Sequence, residues 1–165
     1  MFKPFTLFDL PESYPLNENE RSRIFRYVDR YAETMEGAWL HALNYRAIKL
    51  KWCCGMTQEN GIMGCFAAMT NTIYLQPEDV YEAVPGSAWV ELMAPTLIHE
   101  LRHVWQWRSN PLKYLFCAIP VLREITLERD AREIEEHAQK ICDKLMETED
   151  SWKFELAQRR KHGNS

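Results

Sequence analysis

His99, Glu100 and His103 lie within one short segment, Thr96-Leu-Ile-His-Glu-Leu-Arg-His-Val-Trp-Gln106, and their spacing points to a chemistry. On an α-helix, residues four apart differ by about 40° around the axis and about 6 Å along it, so the two imidazoles can converge on one cation. The expected ion is zinc, which imidazole suits and which a pair of histidines on one helix face commonly holds. Glu100 points about 100° away from His99, where its carboxylate can hold a water at an open metal position instead of ligating. Zinc would lower the pKa of that water towards about 7, and Glu100 would take its proton as it attacks a polarised carbonyl. Leu97, Ile98, Leu101, Val104 and Trp105 make the segment a buried helix, in which such polar residues are costly without a purpose. The bland alternative is a trio that satisfies itself inside the core.

A catalytic zinc needs a third protein ligand. The segment after Pro120 offers Glu124, Glu128, Asp130, Glu133, Glu135 and Glu136. At about 100° per residue, Glu124, Glu128 and Glu135 share one flank of the apolar seam Leu127, Ala131, Ile134, Ala138, Ile141 and Leu145, and Asp130 takes the other. Glu128 is the expected ligand, because Ala131 one turn on is small enough to let two helices approach closely. Glu124, followed by bulky Leu127, is the second choice.

The elements that must position these groups follow from periodicity. Residues 1–16, with Pro4, Pro11 and Pro15, read as an extended arm. Asn17 caps a helix with Glu20 three residues on, and a stripe from Ile24 through Phe25, Val28, Tyr31, Ala32, Met35 and Ala38 to Trp39 reads as core. Ala47 to Trp52 alternates as a strand, Cys65 to Met69 and Thr72 to Leu75 read as two more, and the expected sheet is a three-stranded antiparallel meander. Trp89 to Trp107 reads as a helix that either kinks at Pro95 or starts anew there, and Pro111 should end it. A long helix should run from Pro120 to about Glu147, with 148–165 a frayed tail. The expected architecture is one α+β domain over 1–165.

His99-Glu-x-x-His103 followed by Glu128-x-x-Ala131 resembles the gluzincin metallopeptidases, especially the minimal single-domain versions of bacteria and phages. The resemblance implies a zincin-like fold and a zinc-dependent hydrolase acting on a peptide or protein substrate. In it His99, His103 and Glu128 would hold Zn2+ and Glu100 would act as general base and then acid. It also implies an edge strand that pairs with an extended substrate, for which Ala67 to Asn71 or Thr72 to Leu75 are the options. An oxyanion donor is implied as well, with Tyr74, Tyr114 and His137 all open. Thr70 stands where the amine-binding glutamate of gluzincin aminopeptidases would be, so the resemblance does not extend to that activity. Arg132 stands where an acidic partner of an imidazole would be expected, so another carboxylate or a carbonyl must orient the rings. Gln106, on the face of His99, either lines the cleft or ends the helix in solvent.

Composition narrows the partners. The chain has 165 residues, 46% hydrophobic and 27% charged, the balance of an ordinary globular protein. With a net charge of −4 and its dense basic cluster confined to Arg159–His162, nucleic acid is not an expected partner. No apolar run approaches the roughly 20 residues of a membrane span and no signal-peptide pattern opens the chain, so a cytoplasmic location is expected. Five cysteines, two of them adjacent, suit reduced thiols. A zinc site on Cys53, Cys54 and Cys65 lacks the usual Cys-x2-Cys spacing. Two rivals to the hydrolase stand beside it: a catalytically silent zinc-containing binding module, and a metal-free structural or interaction protein. The sequence does not indicate an oligomeric state.

Overall fold

The computed structural model describes residues 13–53, 64–76, 89–116 and 120–162; the side chains of 116, 120, 121, 124 and 149 onward also lie outside the description. The element order is β1 (Ser13–Pro15), α1 (Glu18–Ala32), β2 (Lys49–Cys53), β3 (Gly64–Ala67), β4 (Thr72–Leu75), α2 (Trp89–Leu92), α3 (Ala94–Ser109), α4 (Pro111–Phe116), α5 (Pro120–Arg123), a π-helical turn at Glu124–Glu128, and α6 (Arg129–His162). The class is α+β. Among the described residues, no helix is long and apolar enough to cross a membrane.

Asn17 starts α1 as expected. Its side chain accepts from the Glu20 amide at 2.9 Å, and its own amide donates to the Glu20 carboxylate at 3.0 Å. That reciprocal pair satisfies two donors the helix start would otherwise leave open. Glu20 also accepts from the Trp52 indole at 3.0 Å, tying the helix start to β2. The helix stops at Ala32, earlier than the stripe implied, and Met35 is 92% exposed. Thr34 and Gly37 make the break: Thr34 Oγ1 donates to the Tyr31 carbonyl at 2.7 Å and accepts from the Gly37 amide at 3.0 Å. The chain then folds back so tightly that a Cβ on residue 37 would meet the Tyr31 oxygen at 1.9 Å, which only glycine permits.

The sheet has four strands, in the order β1-β2-β4-β3, and it is mixed. β2 pairs parallel to β4, whereas β1 with β2 and β3 with β4 are antiparallel. Two expectations are thereby corrected. The extra strand comes from the end of the proline-bearing arm, where Ser13 and Tyr14 pair opposite Cys53 and Trp52. The meander fails because β2 lies beside β4 and not beside β3, so only β3 and β4 are consecutive neighbours joined by a tight turn, with Asn71 in the left-handed region at φ 49°. Residues 68–70 form a 3-10 turn and not the end of a strand.

Pro95 lies in the first turn of α3, so the apolar stretch restarts there, and α3 ends at Ser109 before Pro111. Asn110 then accepts from the Lys113 amide at 2.9 Å and caps α4. α3 is the central element, packing on β3 and β4 with one side and along α6 with the other. Leu97, Ile98, Leu101 and Val104 of α3 join Ile24, Val28, Trp52, Ile73 and Ala138 in the main core. The helix after Pro120 runs on to His162, past the expected end near Glu147, and it is interrupted by the π turn that delivers Glu128.

Candidate metal centre

His99 and His103 project from one face of α3 towards the start of α6, where Glu128 closes the π turn. The His99 and His103 Nε2 atoms lie 3.2 Å apart, and Glu128 Oε2 lies 3.4 Å from each. The three atoms therefore form a nearly equilateral triangle. A tetrahedral zinc with bonds of about 2.0–2.1 Å holds its ligand atoms about 3.3–3.4 Å apart, so these donors fit one face of such an ion. Among the described residues, this trio is the one set of His, Cys, Asp and Glu placed to share a cation, its ligand atoms all within 4.8 Å of one another. The Glu124 side chain lies outside the described residues, as does Cys54. Cys65 is no thiolate, because burial pushes its thiol up to about 12.

The outer nitrogens of the two rings are also held. His99 Nδ1 lies 2.9 Å from Glu135 Oε2, and Thr96 Oγ1 donates to the other Glu135 oxygen at 3.4 Å. Glu128 and Glu135 are seven residues apart, and seven steps of about 100° bring a helix back to the same face. His103 Nδ1 lies 2.8 Å from Gln106 Oε1, and the Gln106 amide nitrogen donates to Asp130 Oδ2 at 2.8 Å and to the Leu127 carbonyl at 3.2 Å. These last two partners only accept, so the glutamine oxygen must face the ring. His103 therefore carries its proton on Nδ1 and turns the Nε2 lone pair to the triangle. Arg102 fixes Asp130 with two hydrogen bonds of 2.7 and 3.0 Å and stacks on Trp105, 4.2 Å from the ring centroid.

Glu128 is itself oriented. Its Oε1 accepts from Arg123 Nε at 2.8 Å, which leaves Oε2 to face the imidazoles. Burial alone would raise the Glu128 pKa, but the adjoining His103 and His99 rings and the Arg123 guanidinium outweigh it and hold the carboxylate well below its usual range. Burial likewise disfavours a charged His99, yet the Glu128 and Glu135 carboxylates prevail and push its pKa up to about 10. In the metal-free protein a proton thus sits where a cation would be favoured.

Glu100 occupies the remaining side. It is 5% exposed, burial pushes its pKa up, and among the described residues no hydrogen-bond donor meets its carboxylate. Its room comes from β3: a Cβ on Gly64 would lie 2.8 Å from Glu100 Cγ and 2.9 Å from Oε1. Glycine there lets the strand pass directly over the carboxylate. Of the oxyanion candidates, Tyr114 packs against the trio, its ring 6.4 Å from that of His103. Burial pushes its pKa up to about 12, so it remains a donor at neutral pH. Tyr74 is packed with Cys53 and Ala67 instead, and His137 is exposed on α6.

Sequence reasoning named the three residues of the triangle, with Glu124 as second choice for the third, and the adjacent Glu100, but missed Glu135, Asp130 and Arg123 as their supports. Gln106, read as cleft lining or a solvated helix end, is buried and holds a ring. Its place three residues after His103, on the same helix face, was the available signal. No protein-family model matches the chain, and neither curated proteins nor solved structures show a match to it.

Proposed function

We propose that this chain is a zinc-dependent metallopeptidase of gluzincin type with a zincin-like fold. The observation that carries the reading is the conjunction of the His99, His103 and Glu128 triangle with Glu100, a residue 5% exposed whose carboxylate meets no hydrogen-bond donor among the described residues. A purely structural polar cluster would be expected to satisfy that carboxylate, whereas a general base needs it free.

Zinc, when bound, would supply Lewis acidity and an acidified water. His99 and His103 offer Nε2 lone pairs fixed by Glu135 and Gln106, and Glu128 offers one oxygen, which leaves a position open. Glu100 accepts a proton from the attacking water and later passes it to the leaving amine; its raised pKa brings it nearer the range where both transfers are efficient. Tyr114 donates to the oxygen that gains charge. β3 is the terminal strand of the sheet among the described residues and lies against Glu100, so its backbone is suited to pair with an extended peptide without reading side chains. Of the two strand options from the sequence, β4 is interior and 67–71 is largely turn, so β3 takes this role.

Glu100→Gln tests the assignment. Zinc content should be unchanged and peptide hydrolysis should fall by at least about 100-fold, the scale of a general base. The metal-free variant should also melt higher, since a carboxylate whose folded pKa is raised destabilises the protein as pH climbs above its unfolded value near 4.5. Retained hydrolysis would contradict the role of Glu100.

A further inference from the structure

We propose, building on the peptidase reading, that Arg123 anchors a free C-terminal carboxylate and that the substrates are peptides cleaved at their last peptide bond. Arg123 ends α5, and its guanidinium is bound through Nε alone, to the outer oxygen of Glu128 at 2.8 Å. Among the described residues, no other hydrogen bond or ion pair engages its two terminal amino groups, and the side chain is 52% exposed. One carboxylate therefore separates an available pair of donors from the place between the histidines. In an extended peptide the terminal carboxylate lies about one residue, at most about 3.6 Å, beyond the last peptide carbonyl, a spacing of the same order.

Charge favours the same end of the substrate. Apart from the buried Glu100, the described carboxylates around the triangle are committed: Glu128 to the imidazoles and Arg123, Glu135 to His99 and Thr96, Asp130 to Arg102 and Gln106. Arg102, the neighbouring cation, is likewise spent on Asp130. Among the described residues the available charge at the rim is thus that of Arg123, and a guanidinium takes a carboxylate through paired hydrogen bonds. Leu122 and Ile125, both exposed, flank Arg123 in the chain, and Leu115 of α4 is exposed as well, so an apolar terminal side chain suits the position.

The test compares N-acetyl-Ala-Leu with its C-terminal amide on the zinc-loaded protein, following cleavage of the Ala-Leu bond. Binding of both to zinc-loaded Glu100→Gln, measured by calorimetry, is the readout independent of turnover. The acid should be cleaved and bound about 10- to 100-fold better than the amide, the scale of a charge-assisted pair. Arg123→Ala, with its zinc content checked, should abolish the preference, and Arg123→Lys should restore part of it. Equal handling of acid and amide by the unaltered protein overturns the anchor and leaves the peptidase reading standing. A preference that survives in Arg123→Ala also overturns it. Failure of the zinc-loaded protein to cleave any peptide overturns the peptidase reading and the anchor together.

Discussion

The two imidazoles face the same point in space but stand in different surroundings. His103 is 2% exposed and is oriented by a neutral amide, which is locked in turn by Asp130, Arg102 and the Leu127 carbonyl. His99 is oriented by a carboxylate, Glu135, whose side chain is 35% exposed. The interior ring is thus fixed by geometry and the outer ring by charge. An amide chain sets one tautomer and is indifferent to pH, whereas a carboxylate pair raises basicity and admits a proton in competition with the metal. The contrast teaches that the first side should govern whether the site exists and the second how its affinity responds to pH.

The largest effect should come from the residue common to both sides. Glu128→Ala removes a donor of the triangle, and zinc affinity should fall by more than the about 100-fold ceiling typical of losing an outer partner; a competitive chelator titration reads it. On the interior side, Gln106→Leu leaves the His103 Nδ1 proton buried without an acceptor. It should cost about 1–3 kcal/mol of stability in the metal-free protein and about 10- to 100-fold in zinc affinity. Asp130→Ala touches neither histidine, yet it should move affinity in the same direction by about tenfold, because the amide is then held by the Leu127 carbonyl alone. An unchanged affinity in that variant would remove the claim that the chain of bonds acts as a unit.

The outer side should show the smallest change in affinity and the clearest change in pH dependence. Because His99 is raised to about 10 in the metal-free protein, zinc must displace a proton at neutral pH, and affinity should climb as pH rises towards that value. Stability follows the opposite sign. A raised histidine contributes fully below its unfolded pKa near 6.5 and loses that contribution as pH rises through about 10. Glu135→Gln keeps an acceptor for Nδ1 but removes the charge. It should weaken zinc binding by about tenfold at most while flattening both profiles. Calorimetry in buffers of different ionisation enthalpy would count the displaced proton.

The site was legible where chemistry depends on local spacing. Two histidines four apart, a glutamate between them, and Ala131 one turn after Glu128 are all features of single helices, and Ala131 is fully buried as close helix approach requires. The Asn17 cap and the restart at Pro95 were readable for the same reason. What escaped was set by distant or cooperative terms. A three-residue strand at Ser13–Pro15 exists only because β2 offers it an edge, and the parallel β2–β4 pairing joins residues distant in the chain, Lys49 with Thr72. The π turn leaves no mark in hydrophobic periodicity, yet it sits immediately before α6 and ends on Glu128, the glutamate that reaches the histidines. Residue types gave the triangle; the bonds that brace it belong to tertiary packing.

Zinc binding with ligand identification tests the central claim most directly. Purified without chelator, the protein should hold about one zinc, and X-ray absorption should show two imidazole nitrogens and a carboxylate oxygen at about 2.0–2.2 Å, with His103→Ala abolishing the signal. Metal-free protein that takes up no zinc when it is supplied, or a zinc that persists in His103→Ala with sulfur neighbours, would contradict the account.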